Sequence, residues 1–409
     1  MSYHSIKKCR VCGNKNLVDV VNLGSLALAG VFPESKSVFV PQAPLVLTKC
    51  HGDESCCHLL QLVHTYDLDQ MYGENYGYRS GLNEHMIKHL KGKVQYILDM
   101  LDLSEDDLVL DIGSNDGSTL GFYPKHIKTL VGIDPTAKKF ASFYSDNVKL
   151  LMDFFSKAMY EKSFGGRKAK VITSFSMFYD LPDPVHFAQE VSEILDKQGI
   201  WVLEQSYMPT MLDKASYDTI CHEHLEYYGL RQIKWIMDKA NLNIVDVSFN
   251  EINGGSFSVT VAHKEYSGKK FTSKVSDVLK SESVYSELKP FRTFAEQIET
   301  VKYELLEKLK QLKNEGKKVA AIGASTKGNV ILQYCGLDTS LLEVVGEVND
   351  DKFGKFTPGT YIPIQSEDTV LASSPDFLLV LPWHLHSFFD SSEKFKEYNL
   401  IYPINTFDS

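Results

Sequence analysis

No run of apolar residues in this 409-residue chain is long enough to cross a bilayer, which takes about 20 in a helix. The opening MSYHSIKKCRVCG also lacks the apolar core of a secretion signal, so a cytoplasmic protein with no membrane partner is expected. Positive charge is in deficit: 43 Lys and Arg stand against 53 Asp and Glu, a net charge of −10. Nucleic-acid backbones are gripped by clustered cations, so this balance argues against such a partner and favours a small-molecule substrate. Short-period repeats and low-complexity tracts are absent as well. A composition of 43% hydrophobic and 23% charged residues is that of a globular chain of two or three domains.

Cysteine is sparse and unevenly placed. Of seven, Cys9, Cys12, Cys50, Cys56 and Cys57 fall near the N-terminus, while Cys221 and Cys335 stand alone. An odd number without a secretion signal speaks against a disulfide framework. The Cys9–Cys12 pair has C-x2-C spacing, and Cys50 recurs with Cys57, or with its neighbour Cys56, about forty residues on. Four thiolates in two pairs predict a closed, structural zinc site, with His51 and His58, ligands by residue type, expected to be bystanders.

Past the cysteines, HMIKHLKGKVQYILDMLDL reads as an amphipathic helix, with Met86, Leu90, Val94, Ile97, Leu98 and Leu101 at helical spacing. LVLDIG, TLVGIDP, KVITSFSMF and GIWVLEQS read as buried strands alternating with helical stretches, the pattern of a doubly wound sheet. NIVDVSFNEINGGSFSVTVAH has no room for a helix between its two β-rich runs and predicts an antiparallel hairpin closing that sheet. Residues 266–315 are charged and helical with little hydrophobic breadth, and read as a connector. A second α/β unit runs from KVAAIGASTKGNVILQYCG to DFLLVLPWHLHSFF. The expected fold is therefore α/β. It comprises an N-terminal zinc-binding module over 1–70, a central Rossmann-like domain over 71–265, the helical connector, and a C-terminal Rossmann-like domain over 316–409.

The first glycine loop, LDIGSNDGS, is neither G-x-G-x-x-G nor a lysine-bearing P-loop. Its acids suit a cationic ligand better than a pyrophosphate, and Asp134 in GIDP stands where an acid binds ribose hydroxyls. Asp111, Gly113, Asn115, Gly117 and Asp134 together resemble the first two motifs of class I S-adenosylmethionine-dependent methyltransferases. Asp153 and Phe154 would then flank the adenine from the third strand.

The whole chain resembles one family, the nucleotide-sugar C-3 methyltransferases of deoxysugar biosynthesis. The matching stretches are CRVC from Cys9, CHLLQL from Cys57, YGYRS from Tyr76, DIGSNDGS from Asp111, YDTICHEHLEYY from Tyr217 and GGS from Gly254. They continue with GASTKGN from Gly323, PGTYIPI from Pro358 and LPWH from Leu381. The resemblance implies a class I methyltransferase domain at the centre and a nucleotide-sugar-binding C-terminal domain. It also implies methylation at C3 of a dTDP- or GDP-linked 4-keto-6-deoxyhexose. A hydrogen beside a ketone is a weak acid, and His224 falls on the family's general base, with Glu223 as its acidic neighbour. Tyr76 falls on a tyrosine that donates to the 4-keto oxygen. Tyr78, Arg79, His222, Lys327 and Asn329 are expected at the substrate, with Lys327 suited to the diphosphate.

Two catalytic positions depart from the family pattern. Cys221 replaces a tyrosine, and Asp180 in SMFYDLPDP stands near an expected histidine. A thiol is a weaker donor than a phenol, so oxyanion support shifts elsewhere. In the last domain VND, around Asn349 and Asp350, replaces an acid-and-basic pair. These changes leave the nucleotide and the sugar open. A monomer or weak homo-oligomer is expected. Two other functions fit the residues: an O- or N-methyltransferase on another small molecule, and a zinc-bearing adaptor with an inert methyltransferase fold.

Overall fold

The computed structural model describes residues 3–66 and 79–404. The central sheet has seven strands in the order Leu242–Asn250, Ser256–His263, Leu195–Ser206, Ala169–Phe175, Leu108–Ile112, Thr129–Ile133 and Val148–Leu151. The last five are mutually parallel, while Ser256–His263 runs antiparallel to both its neighbours. Leu108–Ile112 is buried at every position, as a strand covered by helices on both faces requires. The chain leaves that strand toward Thr129–Ile133 and later returns on its other side with Ala169–Phe175. The crevice at the carboxyl ends of these strands is where a doubly wound sheet binds its ligand. The expected helix spans Glu84–Met100, capped by the Asn83 side chain and burying Leu90, Val94, Ile97 and Met100.

The N-terminal module is an antiparallel sheet ordered Leu17–Ala27, Gln42–Cys50, Leu60–Leu62 and Glu226–Tyr227. Its fourth strand thus comes from the far end of the central domain, directly after the HEH run. The C-terminal sheet is parallel, ordered Ile364–Ser366, Val345–Glu347, Val319–Ile322, Phe377–Val380 and Asn399–Ile401. Its own crevice lies after Val319–Ile322, where the GASTKGN turn begins.

The segment read as a connector does more than connect. Helix Lys289–Asn314 buries Phe291, Phe294, Ile298, Val301, Leu305, Leu309 and Leu312, a narrow stripe at heptad-like spacing. That stripe lies in one continuous core with Leu45 and Leu62 of the N-terminal module, Cys221 and Tyr227 of the central block, and Val319 and Ile331 of the last unit. Among the described residues no helix is long and apolar enough to cross a membrane.

Candidate active site and zinc site

The four sulfurs of Cys9, Cys12, Cys50 and Cys57 lie within 4.8 Å of one another. Cys9 and Cys57 are 3.5 Å apart, as are Cys12 and Cys50. That is far beyond a disulfide and close to the edge of a tetrahedron whose metal–sulfur bonds are about 2.3 Å. The turn that brings the first pair together is closed by Gly13 N–H to Cys9 O (2.9 Å), with Gly13 at φ +73°. The donor set and its compactness fit Zn2+. Cys57, rather than Cys56, completes the set, because consecutive side chains diverge and Cys56 faces the His58 ring at 3.5 Å.

The methyl-donor crevice is assembled around the first glycine loop. Asp111 is buried, accepts from Thr173 Oγ1 at 2.6 Å, and has its carboxyl pushed up to about 7 by burial. Asp134 holds the loop: Oδ2 accepts from Asn115 N–H (2.8 Å), and Oδ1 from the amide and hydroxyl of Thr136 (both 2.6 Å). Each carboxylate oxygen offers two lone pairs, so acceptor capacity remains on Oδ2 for a ribose hydroxyl. Beside it, past Val148–Leu151, Asp153 and Phe154 are exposed together with Met152. An apolar surface left open at the carboxyl end of such a sheet suits an adenine.

Gly117 sits at φ +77°, and a Cβ there would lie 2.7 Å from the Tyr144 ring. Tyr144 in turn bonds Ser114 Oγ (2.7 Å) and Asn115 O (2.9 Å), so it cannot yield without releasing the loop. Gly117→Ala is therefore expected to weaken S-adenosylmethionine binding by about tenfold or more while the fold persists. Calorimetric titration checks this, and unchanged affinity would refute the packing argument. Arg79, expected at the substrate, instead braces this loop. Its Nε lies 3.7 Å from Asp116 Oδ2, and its guanidinium covers Phe143 at 4.1 Å. Tyr76 and Tyr78 lie outside the described residues.

In the YDTICHEH run, a turn closed by His224 N–H to Cys221 O (3.2 Å) spreads the side chains. His222 enters the N-terminal module, where Nε2 donates to Ala43 O (3.1 Å) and the ring meets Tyr66 edge-on at 4.9 Å. It anchors the loop rather than facing a substrate. Glu223 also lies against the N-terminal module, at Gly30, whose added Cβ would meet Oε1 at 3.5 Å. Burial raises the Glu223 pKa, and Oε2 has no hydrogen-bond partner among the described residues. Cys221 is buried in the core, and burial pushes its thiol well above the ordinary range. Asp180 ends the short turn Phe178–Asp180 at the edge of this block, and its charge raises the pKa of both Cys221 and Glu226.

His224 is held on two sides. Nδ1 lies 2.8 Å from Thr219 O, and the ring meets Tyr179 at a tilt of 57°, with centroids 4.2 Å apart. A carbonyl only accepts, so Nδ1 carries the proton in the neutral ring and Nε2 keeps its lone pair. Burial, aided by the Lys327 charge, lowers the imidazole pKa to about 4.

Lys327 arrives from the C-terminal unit. Its Nζ donates to Asn253 O (2.7 Å) in the loop of the antiparallel hairpin. Burial lowers its pKa against the opposing charges of Asp218 and Cys221, which places it beside the HEH block. Gly254 rests on Trp383 and His384, and Trp383 Nε1 donates to Asp218 Oδ2 at 2.9 Å. Asp218 is fully buried, with Oδ1 lacking a hydrogen-bond partner among the described residues. Asn329, also expected at the substrate, is buried and donates to Ala29 O (2.7 Å), so it joins the last unit to the first. Sequence reasoning missed Asp218 and Tyr179. Asp218 carried a signal, an acid inside the run that matched the family, whereas Tyr179 had none.

Comparisons with known proteins divide the chain in three. A zinc binding domain profile matches residues 9–72, a methyltransferase domain profile 82–247, and a C-methyltransferase C-terminal domain profile 251–401. The C-methyltransferase NovU of Streptomyces niveus is 29% identical over 399 residues, spanning 96% of this chain and 93% of that protein. Among solved structures, an S-adenosylmethionine-dependent methyltransferase from Archaeoglobus fulgidus is similar at 13% identity and a TM-score of 0.36. It covers 43% of this chain and 93% of its own. One from Clostridium acetobutylicum is similar at 13% identity and a TM-score of 0.33, covering 43% of this chain and 92% of its own.

Proposed function

We propose that this chain is a zinc-containing, S-adenosylmethionine-dependent C-methyltransferase that methylates C3 of a nucleoside-diphosphate 4-keto-6-deoxyhexose, a reading supported by the three matched domain profiles and by the similarity to the C-methyltransferase NovU. The observation that carries the reading is the His224 ring, fixed by Thr219 O so that Nε2 is the free base. In this mechanism Nε2 removes the C3 proton. The imidazolium that forms keeps its Nδ1–H on the Thr219 carbonyl, which stabilises the new charge. An imidazole with so low a pKa is a weak base, so the electron pair left on the substrate needs support. Lys327, close enough to depress the His224 pKa, supplies positive charge where the enolate oxygen develops.

Glu223 Oε2, buried and unpartnered, takes a sugar hydroxyl, and Tyr76 is assigned to the 4-keto oxygen. S-adenosylmethionine, when bound, would supply an electrophilic methyl group and leave as S-adenosylhomocysteine. Asp134 and the Gly113–Gly117 loop would hold its ribose and amino-acid ends, and Phe154 would lie against its adenine. The four thiolates of Cys9, Cys12, Cys50 and Cys57 would hold zinc with all four ligand positions filled by protein, a structural role.

The test needs no methyl donor. Incubated in D2O with dTDP- or GDP-linked 4-keto-6-deoxyhexose, the enzyme should wash deuterium into C3, and adding the donor should then add one methylene to the mass. An O- or N-methyltransferase would add that mass without the exchange. An enzyme that does neither with any such sugar removes the proposal.

A further inference from the structure

The zinc knuckle reaches the HEH block through one side chain. Arg10 lies between Cys9 and Cys12, and its guanidinium turns inward, 4% exposed. Nη1 donates to Leu62 O (2.7 Å), and Nη2 to His64 O (3.1 Å) and Thr65 Oγ1 (2.8 Å). Nε then lies 3.6 Å from Oε1 of Glu226, which is fully buried. Glu226 stands two residues beyond His224, on the short strand that completes the module's sheet opposite Gln61. No oxygen of its carboxyl has a hydrogen-bond partner among the described residues. Burial pushes that carboxyl up, and Arg10, which cannot shed its own charge, pulls against it.

With Nη1 also donating to Gln61 Oε1 (3.4 Å), the guanidinium is held at four other points and presents a rigid fork to the carboxylate facing it. On the opposite side the backbone of Leu225 is fixed by Leu62 N–H (2.9 Å) and by Tyr179 O (2.8 Å), so His224 hangs from a segment clamped just after it. We infer that Arg10 is a positioning residue for proton abstraction: by holding Glu226, it turns the order of the zinc knuckle into the placement of the His224 ring. The inference rests on His224 being the base. It gives a metal outside the HEH block a part in the chemistry. An error of about 1 Å in a reacting group is enough to cost about 10²-fold in rate.

The experiment uses full-length, zinc-loaded Arg10→Met and Arg10→Lys. Three things are measured: solvent deuterium entry into C3 without methyl donor, KM for the sugar nucleotide, and S-adenosylmethionine affinity. Zinc content is assayed in each sample. Arg10→Met should lose about 10²-fold in exchange rate with KM and donor affinity unchanged, and Arg10→Lys should recover part of the loss. Exchange at the wild-type rate in zinc-replete Arg10→Met overturns the inference, as does a loss confined to KM. Should Arg10→Met fail to fold or to hold zinc, Arg10→Lys carries the test. It keeps a buried cation but not the fork, and wild-type exchange in it is equally fatal. His224→Asn separates the two readings. If it still exchanges, the base assignment falls; if it does not while the Arg10 variants are indifferent, only the positioning role falls.

Discussion

His224→Asn is expected to lower methyl transfer by about 10³- to 10⁴-fold while S-adenosylmethionine still binds. The amide can still donate to Thr219 O, so the turn is kept, and the ring's partners Thr219 and Tyr179 lie outside the loop from Gly113 to Gly117. The pH dependence makes the prediction sharper. With the His224 pKa lowered to about 4, the ring stays unprotonated as pH falls well below the ordinary 6.5. The base itself therefore remains competent down to about that value. Stability behaves differently. His222 is buried and held neutral to about 4, against 6.5 in an unfolded chain. Between those values the unfolded chain binds the extra proton, so stability present above 6.5 is lost as pH falls toward 4. The loss is up to about 3 kcal/mol for this one residue. Activity in acid should thus fail by unfolding before its base titrates. Parallel kcat/KM and thermal-melt profiles would show the two curves falling together, and a kinetic limb near 6.5 in a fully folded enzyme would contradict the His224 environment.

Zinc removal should have an effect of comparable size by another route. Four thiolates packed this closely repel one another once the metal leaves, and structural zinc sites supply about 10–16 kcal/mol of binding free energy that is also folding free energy. Strong chelators are expected to melt the N-terminal sheet and to abolish C3 exchange together with methyl transfer. Cys57→Ser should lose the metal and lower the melting temperature, whereas Cys56→Ser, whose sulfur faces His58, should keep it. Metal analysis of the two variants decides between them. Equal zinc in both would mean that the tetrad is drawn wrongly.

Much of this architecture was legible in the residues because it is written in local pattern. The strand LVLDI, the helix from Glu84 and the NGG hairpin each carry their own periodicity, and the sheet order follows from their alternation. The choice of Cys57 over Cys56 was not legible, since adjacent cysteines differ only in where the backbone aims them. Arg79 and Asn329 were placed at the substrate by their neighbourhood in sequence. Their partners, Asp116 and Ala29, are set by how remote segments meet. The same holds for Lys327, whose helix-start position suggested a diphosphate, while its hydrogen bond to Asn253 depends on docking the last unit against the hairpin. Helix Lys289–Asn314 looked like a spacer because its apolar residues form one narrow line, yet that line is the seam along which three segments share a core.

The borrowed strand Glu226–Tyr227 has a consequence for biogenesis. As the polypeptide emerges from the ribosome, Leu60–Leu62 is finished long before its neighbour is made, and an unpaired sheet edge invites wrong partners. The metal-bearing end must therefore wait, partly built, through synthesis of nearly the whole methyl-donor domain.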